Sequence, residues 1–125
     1  EALYVAAVSY SPYSGYVAGA ALAAVNGDVY RGCLVENKIN ALTIHAEAAA
    51  VAAAVSDGCR DFRLILIVGG DKYPGNSYDY QICSDCIAVL DEFTDPESFY
   101  VVNVNLDSSG AVSSYRVSAL AELKR

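Results

Sequence analysis

The 125-residue sequence holds one histidine and three prolines, and it has neither methionine nor tryptophan. Basic residues are scarce: eight Lys and Arg stand against fifteen Asp and Glu, a net charge of −7. A surface that tracks phosphate backbones needs clustered cations, and here only Lys124 and Arg125 adjoin one another. No nucleic acid polymer is therefore expected as a partner. The balance suits a small uncharged or cationic ligand, although acidity also serves simply to keep a protein soluble. No apolar stretch runs long enough without polar interruption to cross a bilayer, so no membrane partner is expected. The chain opens on Glu1-Ala2-Leu3-Tyr4, without a Met and without the basic start of a signal peptide. A trimmed N-terminus is the expectation. Four cysteines could form two disulfides in a secreted protein, but the chain is too long and too rich in aliphatics to need staples, and the spacing is not that of a disulfide scaffold. Reduced thiols in a cytoplasmic protein are expected instead.

Apolar residues make up 54% of the chain, which is enough for one domain over residues 1–125 with one hydrophobic core. Residues 2–10 read as a short helix, and Ser9 to Gly15 as a turn punctuated by Ser, Pro and Gly. Tyr16–Val25 reads as a small-residue strand. Asn26-Gly27 is a hairpin signal, and Asp28–Glu36 the returning strand. After a loop over Asn37–Ala41, Thr43 is placed to N-cap a helix to Ser56. That helix is nearly all Ala and Val, apolar on every side, and expected to be buried between layers or in a subunit interface. Phe62–Val68 is apolar except for Arg63, as in a central strand covered on both faces. Gly69–Tyr80 reads as a polar loop. Cys83 opens a second helix to Phe93. Phe99–Val104 and Ala111–Val117 read as strands around a turn at Asp107–Gly110, and Ser118–Lys124 as a short helix. A hairpin followed by alternating helices and strands predicts a three-layer α-β-α sandwich around a mixed five-stranded sheet.

Two segments carry chemistry. His45-Ala46-Glu47 opens the alanine-rich helix, and Cys83-Ser84-Asp85-Cys86 opens the later one. One His and two Cys are the donor types zinc prefers, and three protein ligands leave a fourth position for water. Both ligand segments fall at helix starts, where the helix dipole and unpaired N–H groups favour thiolates. Glu47 lies two residues from His45, near the site without being a ligand, and suits proton transfer. Each part has an ordinary reading by itself: a polar His at a helix start, a redox or buried Cys pair, a Glu that complements a dipole. Taken together they favour zinc held by His45, Cys83 and Cys86. Cys33 and Cys59 read as ordinary thiols, with a disulfide between them as the lesser alternative.

His-x-Glu with a downstream Pro-Cys-x-x-Cys is the signature of zinc nucleobase deaminases, and this chain matches it except at Ile82. Three further stretches narrow the resemblance. Residues 10–22, from Tyr10-Ser11-Pro12-Tyr13-Ser14-Gly15 to Ala20-Ala21-Leu22, resemble a segment of the small cytidine deaminases, the family that includes blasticidin S deaminases. Gly32-Cys33-Leu34-Val35-Glu36-Asn37 resembles its "GCN-[VI]-EN", and Ala53–Ile67 resembles its "A-V-S-x-G-x-x-D-F-x-x-I-x-I". The resemblance covers nearly the whole chain in the same order. It implies a cytidine deaminase-like fold, zinc on His45, Cys83 and Cys86, and Glu47 as the proton shuttle between water, ring N3 and the leaving amine. It also implies an Ala46 backbone N–H on the pyrimidine O2, Glu36 on a ribose hydroxyl and Tyr16 packed on the base. A homotetramer, or a homodimer, is implied as well.

The departures from the family pattern are specific. His45 and Ala48 stand where the family has Cys and Arg, and Ile82, Ser84, Ile87 and Ala88 replace residues around the Cys pair, a second Arg among them. Two thiolates and a neutral imidazole carry one negative charge fewer than three thiolates, so less cationic compensation is required. Leu34 replaces an Asn that reads the sugar. A ribose hydroxyl left unpaired there would lose on the order of 1–3 kcal/mol. The expected activity is hydrolytic deamination of a cytosine-type nucleoside (cytidine, 2'-deoxycytidine or a modified analogue) to its uracil form with release of ammonia. The competing readings are deamination of a nucleoside antibiotic such as blasticidin S or of another base, and a non-catalytic nucleoside-binding or structural zinc protein of the same fold.

Overall fold

The computed structural model describes residues 1–71, 82–107 and 109–124. Five strands form one mixed sheet: β1 (Tyr16–Ala24), β2 (Val29–Cys33), β3 (Phe62–Asp71), β4 (Tyr100–Leu106) and β5 (Val112–Ala119). Their order is β2-β1-β3-β4-β5. Only β3 and β4 run parallel; the other neighbours are antiparallel. Among the described residues there are four α-helices, α1 (Ala2–Ala6), α2 (Ala46–Ser56), α3 (Ser84–Glu92) and α4 (Leu120–Leu123), and a short 3-10 helix at Asn40–Leu42.

Strand periodicity sorts side chains onto two faces. Ala20, Leu22, Ile65, Ile67 and Val101 share one face and form the main core with Ala46, Ala50, Ala54, Cys86, Leu90 and Leu120 of the helices. The opposite face carries α1, whose Ala2 and Ala6 are buried over Gly19. The result is the expected α-β-α layering.

The β1–β2 hairpin closes at Asn26-Gly27, where Gly27 takes φ +97° and Asn26 Oδ1 accepts from the Asp28 N–H at 2.9 Å. β2 stops at Cys33, three residues before the expected end. Leu34–Glu36 peels away because its backbone is taken up elsewhere: Leu34 O and Glu36 N–H bond Tyr10, and Val35 exchanges two bonds with Ile44.

Thr43 does not cap α2. Its Oγ1 accepts from the Asn37 N–H at 3.1 Å, so it holds the preceding loop, and His45 takes the N-cap position in an extended conformation. Nor is α2 buried on all sides. Ala46, Glu47, Ala50, Val51 and Ala54 face the core, while Ala52 and Ala53 are exposed.

Gly69 and Gly70 extend β3 rather than opening a loop, pairing with Ala18 and Val17 of β1. Gly70 lies so close to Leu106 that a side chain would crowd it. The rest of the expected Gly69–Tyr80 loop, beyond Asp71, lies outside the described residues. At the C-terminal end, Ser118 and Ala119 stay paired with Val101 and Tyr100, so α4 begins at Leu120 instead of Ser118.

Candidate metal centre and active site

The first turns of α2 and α3 meet. His45 and Cys83 are the respective N-caps, and Cys86 lies in the first turn of α3. His45 Nδ1 is 3.3 Å from Cys83 Sγ and 3.3 Å from Cys86 Sγ. All three donor atoms lie within 4.8 Å of one another. Nitrogen and sulfur ligands around a tetrahedral zinc stand about 3.5 Å apart, given the usual bond lengths. The spacing fits a single ion. Cys83 Sγ also accepts the Cys86 N–H at 3.4 Å, which fixes the turn that presents both sulfurs.

The local chemistry calls for a cation. Burial, then the neighbouring Glu47 carboxylate and Cys83, push the Cys86 thiol far above its ordinary range. Two thiols, an imidazole and a fully buried carboxylate share one small space. A divalent cation inverts that penalty and deprotonates its thiol ligands outright. The donor set and its surroundings thus fit zinc.

Glu47 is 0% exposed and lies on the first turn of α2, with its side chain in hydrogen-bond contact with Cys86. Ala46 is fully buried as the first residue of α2. The N–H groups of a first helical turn have no intrahelical acceptor, so they are available as donors. Tyr16 begins β1, half-buried, its N–H donating to Ser14 Oγ at 3.0 Å. Glu36 Oε1 accepts from the backbone N–H groups of both Tyr13 and Ser14, each at 3.1 Å. It therefore ties the turn before Tyr16 to the segment after β2. Leu34 is only 8% exposed and packs in the main core. Cys33 and Cys59 are free, half-buried thiols, with no disulfide between them.

Gly32 was not among the expected site residues. A Cβ there would overlap the backbone of Ala46 and Ala50. Its bare Cα lets the start of α2 lie directly on β2, which sets the height of His45 and Glu47. A lone glycine inside a strand is the sequence signal for such an approach.

Residues 1–102 match the family described as "Cytidine and deoxycytidylate deaminase zinc-binding region". The chain belongs to the cytidine deaminase family. A cytidine deaminase of Sporosarcina psychrophila is 39% identical over 85 residues, 68% of this chain. One of Halalkalibacterium halodurans is 40% identical over 74 residues, 59% of this chain. These alignments span 59% and 56% of the two curated relatives' own lengths. Among solved structures, cytidine deaminase from Burkholderia pseudomallei superposes with a TM-score of 0.82 at 31% identity, covering 98% of this chain and 89% of that one. The Mycobacterium tuberculosis cytidine deaminase gives 0.73 at 30% identity, with 98% and 86% covered. Family and fold therefore agree with the zinc geometry.

Proposed function

We propose that the chain is a single deaminase domain that hydrolyses a cytosine-type nucleoside to its uracil form and ammonia. One observation carries this reading: a buried Glu47 stands in contact with Cys86, within a His45–Cys83–Cys86 cluster of zinc spacing. A purely structural zinc site has no use for a proton shuttle.

In this reading His45, Cys83 and Cys86 hold the metal. When bound, zinc makes water nucleophilic at neutral pH by lowering its pKa to about 7. Glu47 takes the proton that water gives up as its oxygen bonds to C4. It delivers that proton to ring N3, then carries the proton of the new C4 hydroxyl to the amine, so that the C4–N bond breaks, ammonia leaves and the C4 carbonyl of the uracil form remains. The Ala46 N–H binds the pyrimidine O2. The Tyr16 ring packs on the base, with the 10–15 turn positioned by Glu36, whose carboxylate also reaches toward a ribose hydroxyl. Leu34 puts an apolar wall where the sugar would otherwise meet an amide. That favours a cytosine nucleoside with a modified sugar over cytidine itself.

No helix of the described residues is long and apolar enough to cross a membrane. The free thiols suit a reducing, cytoplasmic setting. We assign a homotetramer or homodimer on the exposed alanines of α2 and on the family's assembly. The test is an ultraviolet assay of zinc-loaded protein against cytidine, deoxycytidine, cytosine, guanine and blasticidin S. Turnover of none of the cytosine nucleosides or the antibiotic would refute the reading.

A further inference from the structure

We infer that β5 is a self-pairing edge, at which two copies of this chain join their sheets antiparallel about a two-fold axis at Tyr115. This rests on the self-association proposed above and names its contact.

The two edges of the sheet differ. β2 is five residues long, and the chain beyond it is already paired, with Val35 bridging both Tyr10 and Ile44. β5 is eight residues long, and 112–117 are all exposed. Natural edge strands are usually protected by Lys, Pro, bulges or a covering segment. β5 has no Lys and no Pro, and its one register shift lies near its start. Its side chains also suit a partner. Tyr115 and Val117, 72% and 57% exposed, pair with Val104 and Val102 and share a face with Tyr100, itself 46% exposed. That apolar face continues onto Leu64 and Leu66 of β3.

The occupant follows from charge and register. Arg116 is the one charged residue of β5. An axis at Arg116 would set two guanidiniums opposite one another, which is unfavourable. An axis at Val117 would drive the pairing into Ser118, which is buried, and into the start of α4. An axis at Tyr115 keeps the paired run within the exposed stretch. It sets the two tyrosines face to face and places each Arg116 opposite a serine, Ser114 of the other copy. A second copy of β5 therefore satisfies its own edge without like-charge contact.

Directly opposed residues in an antiparallel pair have Cα atoms about 4.5 or 5.5 Å apart. Both separations lie within disulfide range. Two Val117 residues in this register would be about 13 Å apart. Tyr115→Cys should therefore cross-link to itself under mild oxidation of the zinc-loaded protein, mapped by mass spectrometry, and Val117→Cys should not. Tyr115→Lys should weaken self-association at least tenfold by sedimentation equilibrium while leaving zinc content, melting temperature and turnover unchanged. An oligomer that forms no 115–115 cross-link, or whose assembly ignores Tyr115→Lys, overturns the β5 contact and leaves the oligomer reading standing. A strict monomer overturns both.

Discussion

Nδ1 of His45 stands 3.3 Å from Sγ of Cys86, although 41 residues of sequence separate them. Both side chains are offered from helix starts, so the position of the metal is fixed by the packing of α2 against α3. Glu47, the acid proposed to work beside it, rides on the same turn as His45. Several outcomes follow from that shared geometry.

Glu47→Ala removes the proposed proton carrier and leaves all three donor atoms. Zinc content by elemental analysis should stay at one ion per chain. Turnover should fall by about 10²–10⁴, the usual contribution of a positioned acid–base group. Normal turnover in this variant would rule out the mechanism.

Gly32→Val pushes a side chain into the backbone of Ala46 and Ala50. Overpacking of this kind costs about 1–3 kcal/mol. The melting temperature should drop, and zinc affinity should drop with it, because the start of α2 is displaced. Gly27→Ala is a useful contrast. No atom would crowd its Cβ, but the residue sits at φ +97°, so stability alone should suffer and zinc binding should not.

Glu36→Ala leaves the Tyr13 and Ser14 N–H groups without their carboxylate acceptor. Those bonds are solvent-exposed, so the stability loss should be no more than about 1 kcal/mol. KM should rise more than kcat falls, since the turn preceding Tyr16 loosens. Glu36→Gln keeps an acceptor oxygen and should recover the melting temperature. Its KM should recover only in part if the carboxylate also binds a ribose hydroxyl.

Leu34→Asn should move two readouts in opposite directions. Placing an amide in a site only 8% exposed should lower the melting temperature. Restoring a polar partner for the sugar should lower the KM for cytidine. An unchanged preference between cytidine and sugar-modified nucleosides would refute the role given to Leu34.

Asp107 supplies a pH test away from the metal. Hydrogen bonds from Ser109 and Ala111 hold its carboxyl below the usual aspartate value of 3.8. A carboxylate depressed in the folded state adds stability above pH 3.8, and that stability is lost as pH falls through the lower folded value. A carboxyl titration followed by NMR should place its midpoint below 3.8, and Asp107→Asn should flatten acid sensitivity in that range.

Much of this arrangement was legible in the residues. The hairpin, the central apolar strand, the two helices and the His–Cys–Cys set follow from turn chemistry, periodicity and donor type. What escaped was set by tertiary pairing. Thr43 is a good capping residue, but its hydroxyl is taken by Asn37, a contact only the folded loop creates. β2 is cut short because Tyr10 and Ile44 claim the backbone of residues 34–36 that follow it. Gly69 and Gly70 read as turn residues until β1 and Leu106 are seen beside them. The alanines of α2 gave no periodic signal, since a nearly uniform apolar helix does not show which side faces the sheet.

The meeting of α2 and α3 has a kinetic consequence. α2 belongs to the hairpin half of the chain, and α3 is the crossover between the parallel strands β3 and β4. An ion shared by His45, Cys83 and Cys86 closes a loop of about forty residues between two helices of the same core, and the chain entropy of that closure is met by coordination. Metal supply should therefore act as an assembly cue: refolding with a chelator present should populate a species with its hairpin formed and its crossover undocked.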